Sequence, residues 1–436
     1  TKIDDEMPEW FIGRGIPSIL LDYAKAHGRI LMNTKSKKSR FIVYEIPSNT
    51  SVAFDSFLGL VSTFVLAIVT DRALLLNLQT IGNSSMTTHV DIGDMFTTPG
   101  FEWDWEAFLQ KNHLHPGELE MEHWDPMAHM EEITCSDLAL LLEKKKFVKI
   151  TSQDFFMPLV MVNAHYSQLL ETKLGFRMAF ADLLNFLLRP SKAVAESIRR
   201  FRRRYLDGNI VIGIELSVMP GRGVWEGNGY MSDAQQNLFF SHASTSLEMM
   251  ATAAKQAAKA KATPDVSVTG MGDSFSTQSG SSQGGVDTIE AGGVQEGVLL
   301  DPTAENGAVF LVVTDNEEQL HTKFQELEAA GNVITAGIVA ILSATGVGRT
   351  RAALEVQELW LLGYADIILT TPGSRLGITA SARAVLQPHV VVDENTVRLS
   401  TAPYPCLASF GFIQHSSCFV PSMLSKYPPD SQVPCS

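Results

Sequence analysis

Cysteine is scarce. The 436 residues hold four, Cys135, Cys406, Cys418 and Cys435, too few for a disulfide-stapled scaffold. None stands in a CxxC pair, and the nearby histidines lack zinc-ligand spacing, so no structural zinc site is written here. Cys406 and Cys418 flank one short segment; a loop-closing disulfide in an oxidising compartment and two unrelated thiols both fit that spacing. Basic charge is also short, with 34 Lys and Arg against 48 Asp and Glu, a net charge of -14. A surface of that sign repels phosphate backbones and excludes nucleic acid as an expected partner. The longest apolar run, Phe57 to Val69, is broken by Ser62 and Thr63 and falls short of the ~20 residues a bilayer span needs. Also missing are GxSxG, HExxH, a P-loop lysine and a GxGxxG in the right context. Gly346-Val347-Gly348 is the nearest approach, and it lacks the third glycine.

What is present is ample apolar material: 45% hydrophobic residues against 19% charged, which excludes a wholly disordered chain. The length is two or three times that of a usual domain. Phe41 to Ile46, bounded by Pro47, reads as a buried strand. Phe57, Leu60, Val61, Phe64, Val65 and Ile68 recur at helical spacing, and Ala73-Leu74-Leu75-Leu76 reads as the next strand. Strand, loop, helix, strand predicts a βαβ unit and a parallel sheet. Met157 to Val162 reads as strand-like. Ser191 to Leu206 predicts a helix with Val194, Ile198, Phe201 and Tyr205 on one face and Arg199, Arg200, Arg202, Arg203 and Arg204 on the other. That basic face reads as solvated, with phosphate or headgroup contact as the sharper alternative.

The second half repeats the alternation. Asn209 to Leu216 predicts a central strand and Leu247 to Ala262 a helix. Residues 263–307, rich in Gly, Ser, Thr and Gln, read as a flexible insertion. Val309–Val313 is a strand running into Thr314-Asp315-Asn316. Helices are expected over 317–329 and 352–362, and a strand over Ile367–Leu369 ending in Thr370-Thr371-Pro372-Gly373-Ser374. The expected fold is α/β, two Rossmann-like domains facing a cleft, with ligands at the carboxyl ends of the strands. The expected division is an N-terminal domain, 1–207, a C-terminal domain, 208–425, and a tail, 426–436. His113, His115 and His123 among Glu118, Glu120 and Glu122 offer metal-binding side chains, but nothing fixes their geometry; a polar loop is the plainer reading.

Gly59 to Ala67 with Thr70-Asp71-Arg72-Ala73-Leu74-Leu75 resembles the plant xyloglucan fucosyltransferase family, whose members carry a GLGNR-type loop, such a helix and a "TDR-leucine" strand. Asp91 to Phe96, Leu187-Leu188-Arg189-Pro190, Ile212 to Leu216, Glu355 to Leu362 and Asp366 to Gly377 follow in the family's order, covering about 40 to 420. The resemblance implies a GT-B-like fold and transfer of L-fucose from GDP-fucose to a cell-wall or glycoprotein glycan, with inversion and without a metal. Glycan acceptors, possible protein partners and residence in the Golgi lumen or secretory pathway follow from it, with membrane attachment only through an N-terminal anchor. The chain opens on Thr1 with no anchor or signal pattern; an anchor cut off or processed, and a protein that works outside the Golgi, are both open expectations.

By the same resemblance, Ser56 and Ser217 stand where the family has its two donor arginines, and Ser374 and Gly377 match its late turn. Arg375 stands where the family usually has Thr. Arg222, Arg375 and Asp315 join Ser56, Ser217, Ser374 and Gly377 as expected donor-site residues, with Arg222 or Arg375 as a relocated cation. Asp55 and Glu215 are the carboxylates placed at the cleft, as acceptor base or as structural acids. A serine hydroxyl cannot fork onto phosphate as a guanidinium does. Two such contacts at ~2–4 kcal/mol each amount to a thousandfold or more in rate, so a catalytically inactive fucosyltransferase-like protein that binds glycan or protein is the alternative.

Overall fold

The computed structural model describes residues 15–46, 56–77, 95–98, 100–217, 231–262, 297–298, 308–314, 322, 338–342, 349–372 and 374–400. Two largely parallel sheets organise them. Toward the first sheet the chain runs α1 (Ser18–Met32), β1 (Phe41–Glu45), α2 (Phe57–Val69), β2 (Ala73–Asn77), β3 (Phe96–Thr97), α3 (Trp105–Asn112), β4 (Met121–His123), α4 (Met130–Cys135), α5 (Leu138–Leu141) and β5 (Phe147–Ile150). The sheet order is β2-β1-β5-β4 with every pair parallel. Phe41 to Tyr44 are buried on both sides, as expected of a parallel strand covered on both faces.

Arg72, inside the TDR segment, ties this sheet together. Its guanidinium is buried and donates to the carbonyls of Phe41, Leu142 and Lys145. Burial lowers its pKa to about 10, still well above neutral pH, so it remains a cation held by main-chain oxygens.

The connecting region holds α6 (Met157–Val162), α7 (Ser167–Lys173), α8 (Phe176–Leu187), β6 (Arg189–Pro190) and α9 (Lys192–Phe201), which runs into a π-helical turn, Arg202–Leu206. The strand expected over Met157–Val162 is a helix instead. A short apolar run without period fits either state; here Pro158 sits in the first helical turn, where its missing N–H costs nothing. The Met157 N–H donates to Ser62 Oγ at 3.0 Å, docking α6 on α2. In α9, Val194, Ile198 and Phe201 face inward. On its other face Arg199 pairs with Glu196, Arg202 pairs with Asp207 at 2.9 Å and stacks over Tyr364, and Arg200 and Arg203 are exposed.

The second sheet is assembled from β7 (Ile210–Leu216), α10 (Asp233–Ala262), β8 (Gly297–Val298), β9 (Ala308–Thr314), β10 (Ile338–Leu342), α11 (Arg349–Leu362), β11 (Ile367–Thr370), α12 (Arg375–Ala384), β12 (His389–Val391) and β13 (Val397–Leu399). Its order is β13-β12-β11-β7-β9-β10-β8, parallel except for the β12–β13 and β10–β8 edges. The expected pairing of Ile210–Glu215 with Val309–Val313 is present and parallel. Helix α10 starts at Asp233, earlier than the Leu247 start expected. Its first turns are rich in Gln, Asn, Ser and His, and their place is set by Phe239, Phe240, Ala243 and Leu247 packing on the sheet. The helix expected over 317–329 lies outside the described residues apart from Thr322, as does the 263–307 insertion apart from Gly297 and Val298.

The two sheets share one apolar core, running from Leu20 to Ala382. Ser197 Oγ of α9 donates to Gln357 Oε1 of α11 at 2.8 Å, and Asn185 Nδ2 of α8 donates to the Arg383 carbonyl of α12. The loop after β5 also meets α2 at Gly59, where a Cβ would overlap the Ser152 carbonyl oxygen and lie 3.0 Å from the Tyr44 hydroxyl. Because the obstacle is backbone, Gly59→Ala is expected to destabilise the chain by about 3 kcal/mol, read as a lower urea midpoint in equilibrium unfolding.

Candidate functional site

The carboxyl ends of β7 and β11 lie side by side, with Glu215 in register with Thr370. The Glu215 carboxylate is buried. Its Oε2 accepts from Thr371 Oγ1 at 2.6 Å, Thr370 Oγ1 at 2.9 Å and the Thr371 N–H at 3.1 Å. Burial still outweighs these donors and pushes its pKa above the usual carboxylate range, while Thr371, Thr370 and Ser374 pull it down.

Helix α12 begins at this junction. Ser374 caps it, its Oγ accepting from the Gly377 N–H at 3.2 Å, a conventional N-cap bond. Gly377 permits the close approach, since a Cβ there would overlap the Thr370 side chain and lie 3.3 Å from Glu215 Oε2. The Ser217 N–H donates to Thr371 Oγ1 at 3.3 Å. Four of the expected site residues, Glu215, Ser217, Ser374 and Gly377, are thus brought together around Thr370 and Thr371.

Arg375 occupies the first position of α12 and is half-buried; its Nη1 donates to Gln153 Oε1 at 2.8 Å. That bond reaches the loop after β5 and so joins the second sheet to the first. Beside Gln153, the Ser152 carbonyl lies 2.7 Å from the Tyr44 hydroxyl, which is also 2.8 Å from the Ser56 carbonyl. The Tyr44 hydroxyl is held far above its ordinary pKa, first by burial, with Arg375 acting in the opposite direction. Ser56 is fully buried at the start of α2. Among the described residues, Tyr44 and the 152–153 backbone link it to the Arg375 side of the site. Asp55, Arg222 and Asp315 lie outside the described residues.

No family model matches the chain, and no curated protein matches its sequence. Among solved structures, a mutant of Arabidopsis thaliana FUT1 in complex with GDP is similar with a TM-score of 0.55 at 16% identity, over 90% of this chain and 83% of that one. The chain carries a fucosyltransferase-like GT-B fold. Fucosyltransferase NodZ from Bradyrhizobium gives a TM-score of 0.41 at 10% identity, over 83% of this chain and 98% of that chain. POFUT1 in complex with GDP gives 0.38 at 12%, over 80% and 97%.

Within this fucosyltransferase-like fold, several supporting residues had no distinguishing pattern in the sequence. Tyr44 and Gln153 belong to separate segments that only folding brings to Arg375. Thr370 and Thr371 stand in the quoted turn, and their hydroxyls gain meaning only opposite Glu215. A carboxylate whose folded pKa lies above its unfolded value favours the fold at low pH and loses that contribution as pH rises through the folded value. Glu215→Gln, which cannot ionise, should therefore gain stability relative to the unchanged chain between pH 5 and pH 8, by comparison of urea midpoints.

Proposed function

We propose that this chain is a GDP-fucose-dependent fucosyltransferase of the plant xyloglucan type, acting on a neutral hydroxyl of a cell-wall or glycoprotein glycan. The observation that carries the reading is Arg375. Arg375 stands in the first turn of α12, hydrogen-bonded to Gln153, beside backbone N–H groups of a helix start that attract an anion. The diphosphate of a nucleotide sugar is such an anion, and the strand ends of β7 and β11 are where an open α/β sheet receives one.

In the proposed reaction the acceptor hydroxyl attacks the anomeric carbon of fucose. The bond from that carbon to the diphosphate oxygen breaks with inversion, GDP leaves, and the hydroxyl proton passes to a base. Arg375 and the amino end of α12 meet the charge growing on the leaving diphosphate, with Arg222 and Asp315 proposed as further donor contacts. Glu215, committed to Thr370 and Thr371, acts as a positioning residue that holds the start of α12, which leaves Asp55 as the proposed base. The domain boundary is proposed near residue 208, donor on the C-terminal side. A secretory compartment such as the Golgi lumen is proposed on the family resemblance alone.

The serines at 56 and 217 favour the second reading, a fold kept for glycan or protein binding. Calorimetric titration of the chain with GDP-fucose and with GDP separates the two. Binding of both is expected, weakened roughly tenfold or more by Arg375→Ala, together with fucose transfer to a xyloglucan oligosaccharide. Absence of binding at millimolar donor would overturn the transferase and leave the scaffold.

A further inference from the structure

Helix α10 is tied to the outer edge of the second sheet by two histidines. Val391 of β12 packs in one apolar cluster with Phe239 and Phe240 of α10, and alternation along the strand puts His389 on the same face. There His242 Nε2 of α10 lies 2.9 Å from His389 Nδ1, with the ring centroids 5.1 Å apart. The contact joins residues 147 positions apart, and both rings are half-buried. Immediately before α10, Ser232 Oγ donates to Glu394 Oε1 at 2.9 Å, in the turn between β12 and β13. That exposed bond is a further side-chain tie between the start of the helix and the β12–β13 hairpin.

An imidazole pair at this distance needs an N–H on one ring and a lone pair on the other. Two neutral rings satisfy that, and so do one neutral and one protonated ring. Two protonated rings do not, because both nitrogens then carry hydrogen and two like charges face each other. The charged groups of the surrounding elements are directed elsewhere. On α10, Asp233 lies about two and a half turns before His242, and Glu248 about a turn and two-thirds after it. On β7, Ile214 and Leu216 face α10, so Glu215 between them points to the opposite face. β11 carries no ionisable side chain. Arg398 of β13 is in register with Val390, off the His389 face, and acts on Asp393; Glu394 is engaged by Ser232. Both imidazoles are held below the ordinary histidine value, His242 by burial, and His389 by burial and then by His242.

We infer that the His242–His389 pair is an acid-sensitive latch, holding the first half of α10 on the β12–β13 edge and releasing it when both rings take a proton. The sign follows from linkage. A histidine whose folded pKa lies below its unfolded value, near 6.5, contributes its full stability above that value and loses it as pH falls through the folded one. The latch is therefore closed at neutral pH and opens on acidification, with the two rings titrating as a coupled pair. Opening uncovers Phe239, Phe240 and Val391, which are otherwise buried. The inference does not rest on donor binding, because neither histidine belongs to the cluster around Glu215 and Arg375.

The test is amide hydrogen exchange on the full chain at about pH 7.5 and about pH 5, expressed as protection so that the pH dependence of the intrinsic rate drops out. A histidine ring NMR titration accompanies it. Protection from Asp233 to Met250 should fall by roughly tenfold or more at the lower pH, while β7 and β9 keep theirs, and the second ring protonation should lie below the ordinary histidine range. His242→Gln can still meet His389 but takes no proton. It should show equal protection at both pH values and return His389 toward about 6.5; His389→Gln should do the same for His242. Circular dichroism of both variants checks that the fold is kept. Equal protection at the two pH values in the unchanged chain, two independent titrations near 6.5, or loss in β7 and β9 together with α10 would each overturn the inference. So would the same acid-dependent loss in either folded variant.

Discussion

A carboxylate buried at the end of a central strand must be given hydrogen bonds or it costs several kcal/mol. Glu215 meets that demand by drawing the Thr370 and Thr371 hydroxyls and the Thr371 N–H onto one oxygen. That requirement holds the end of β11 against the end of β7 and turns the chain into α12 at a fixed point. Gly377 then has to be a glycine, because α12 starts against Thr370 and Glu215 with no room for a side chain. The position of Arg375 follows from the same constraint. Its guanidinium is placed by a helix whose first turn is anchored to the sheet.

The first sheet meets this arrangement through a parallel device. Tyr44 sits inside the sheet with its hydroxyl between the carbonyls of Ser56 and Ser152, which fixes the start of α2 against the loop after β5. Gly59 lets the two backbones touch. The same loop then offers Gln153 to Arg375. Each half of the site is therefore held by a buried polar group acting on backbone, and one side-chain hydrogen bond joins them. Arg72 belongs to the same pattern: a buried cation whose partners are main-chain oxygens. It explains why the TDR segment carries an arginine far from any chemistry.

Much of the fold was legible before any coordinates. Strands β1, β2, β7, β9 and β11 and helices α2, α9 and α11 announce themselves by apolar runs and by helical spacing, since those signals arise from burial on one or both faces. The run Met157–Val162 misled because six apolar residues carry no period, and only its docking on α2 decides that it is a helix. The first half of α10 was hidden for the opposite reason. Its polar residues have weak helical preference, and the packing of Phe239 and Phe240 against the second sheet holds them in place.

For the site, the sequence by itself determined which segments would lie at strand ends: Glu215 and Ser217 after β7, and Ser374, Arg375 and Gly377 after β11. Chain order and apolar patterning suffice for that, because a parallel α/β sheet puts all its carboxyl ends on one side. Only the tertiary structure decided what those residues do. Glu215 is spent on two threonines, and Arg375 reaches across to Gln153. Hydrogen bonds between residues a hundred or more positions apart depend on register and side-chain direction, and no local pattern in the chain records either.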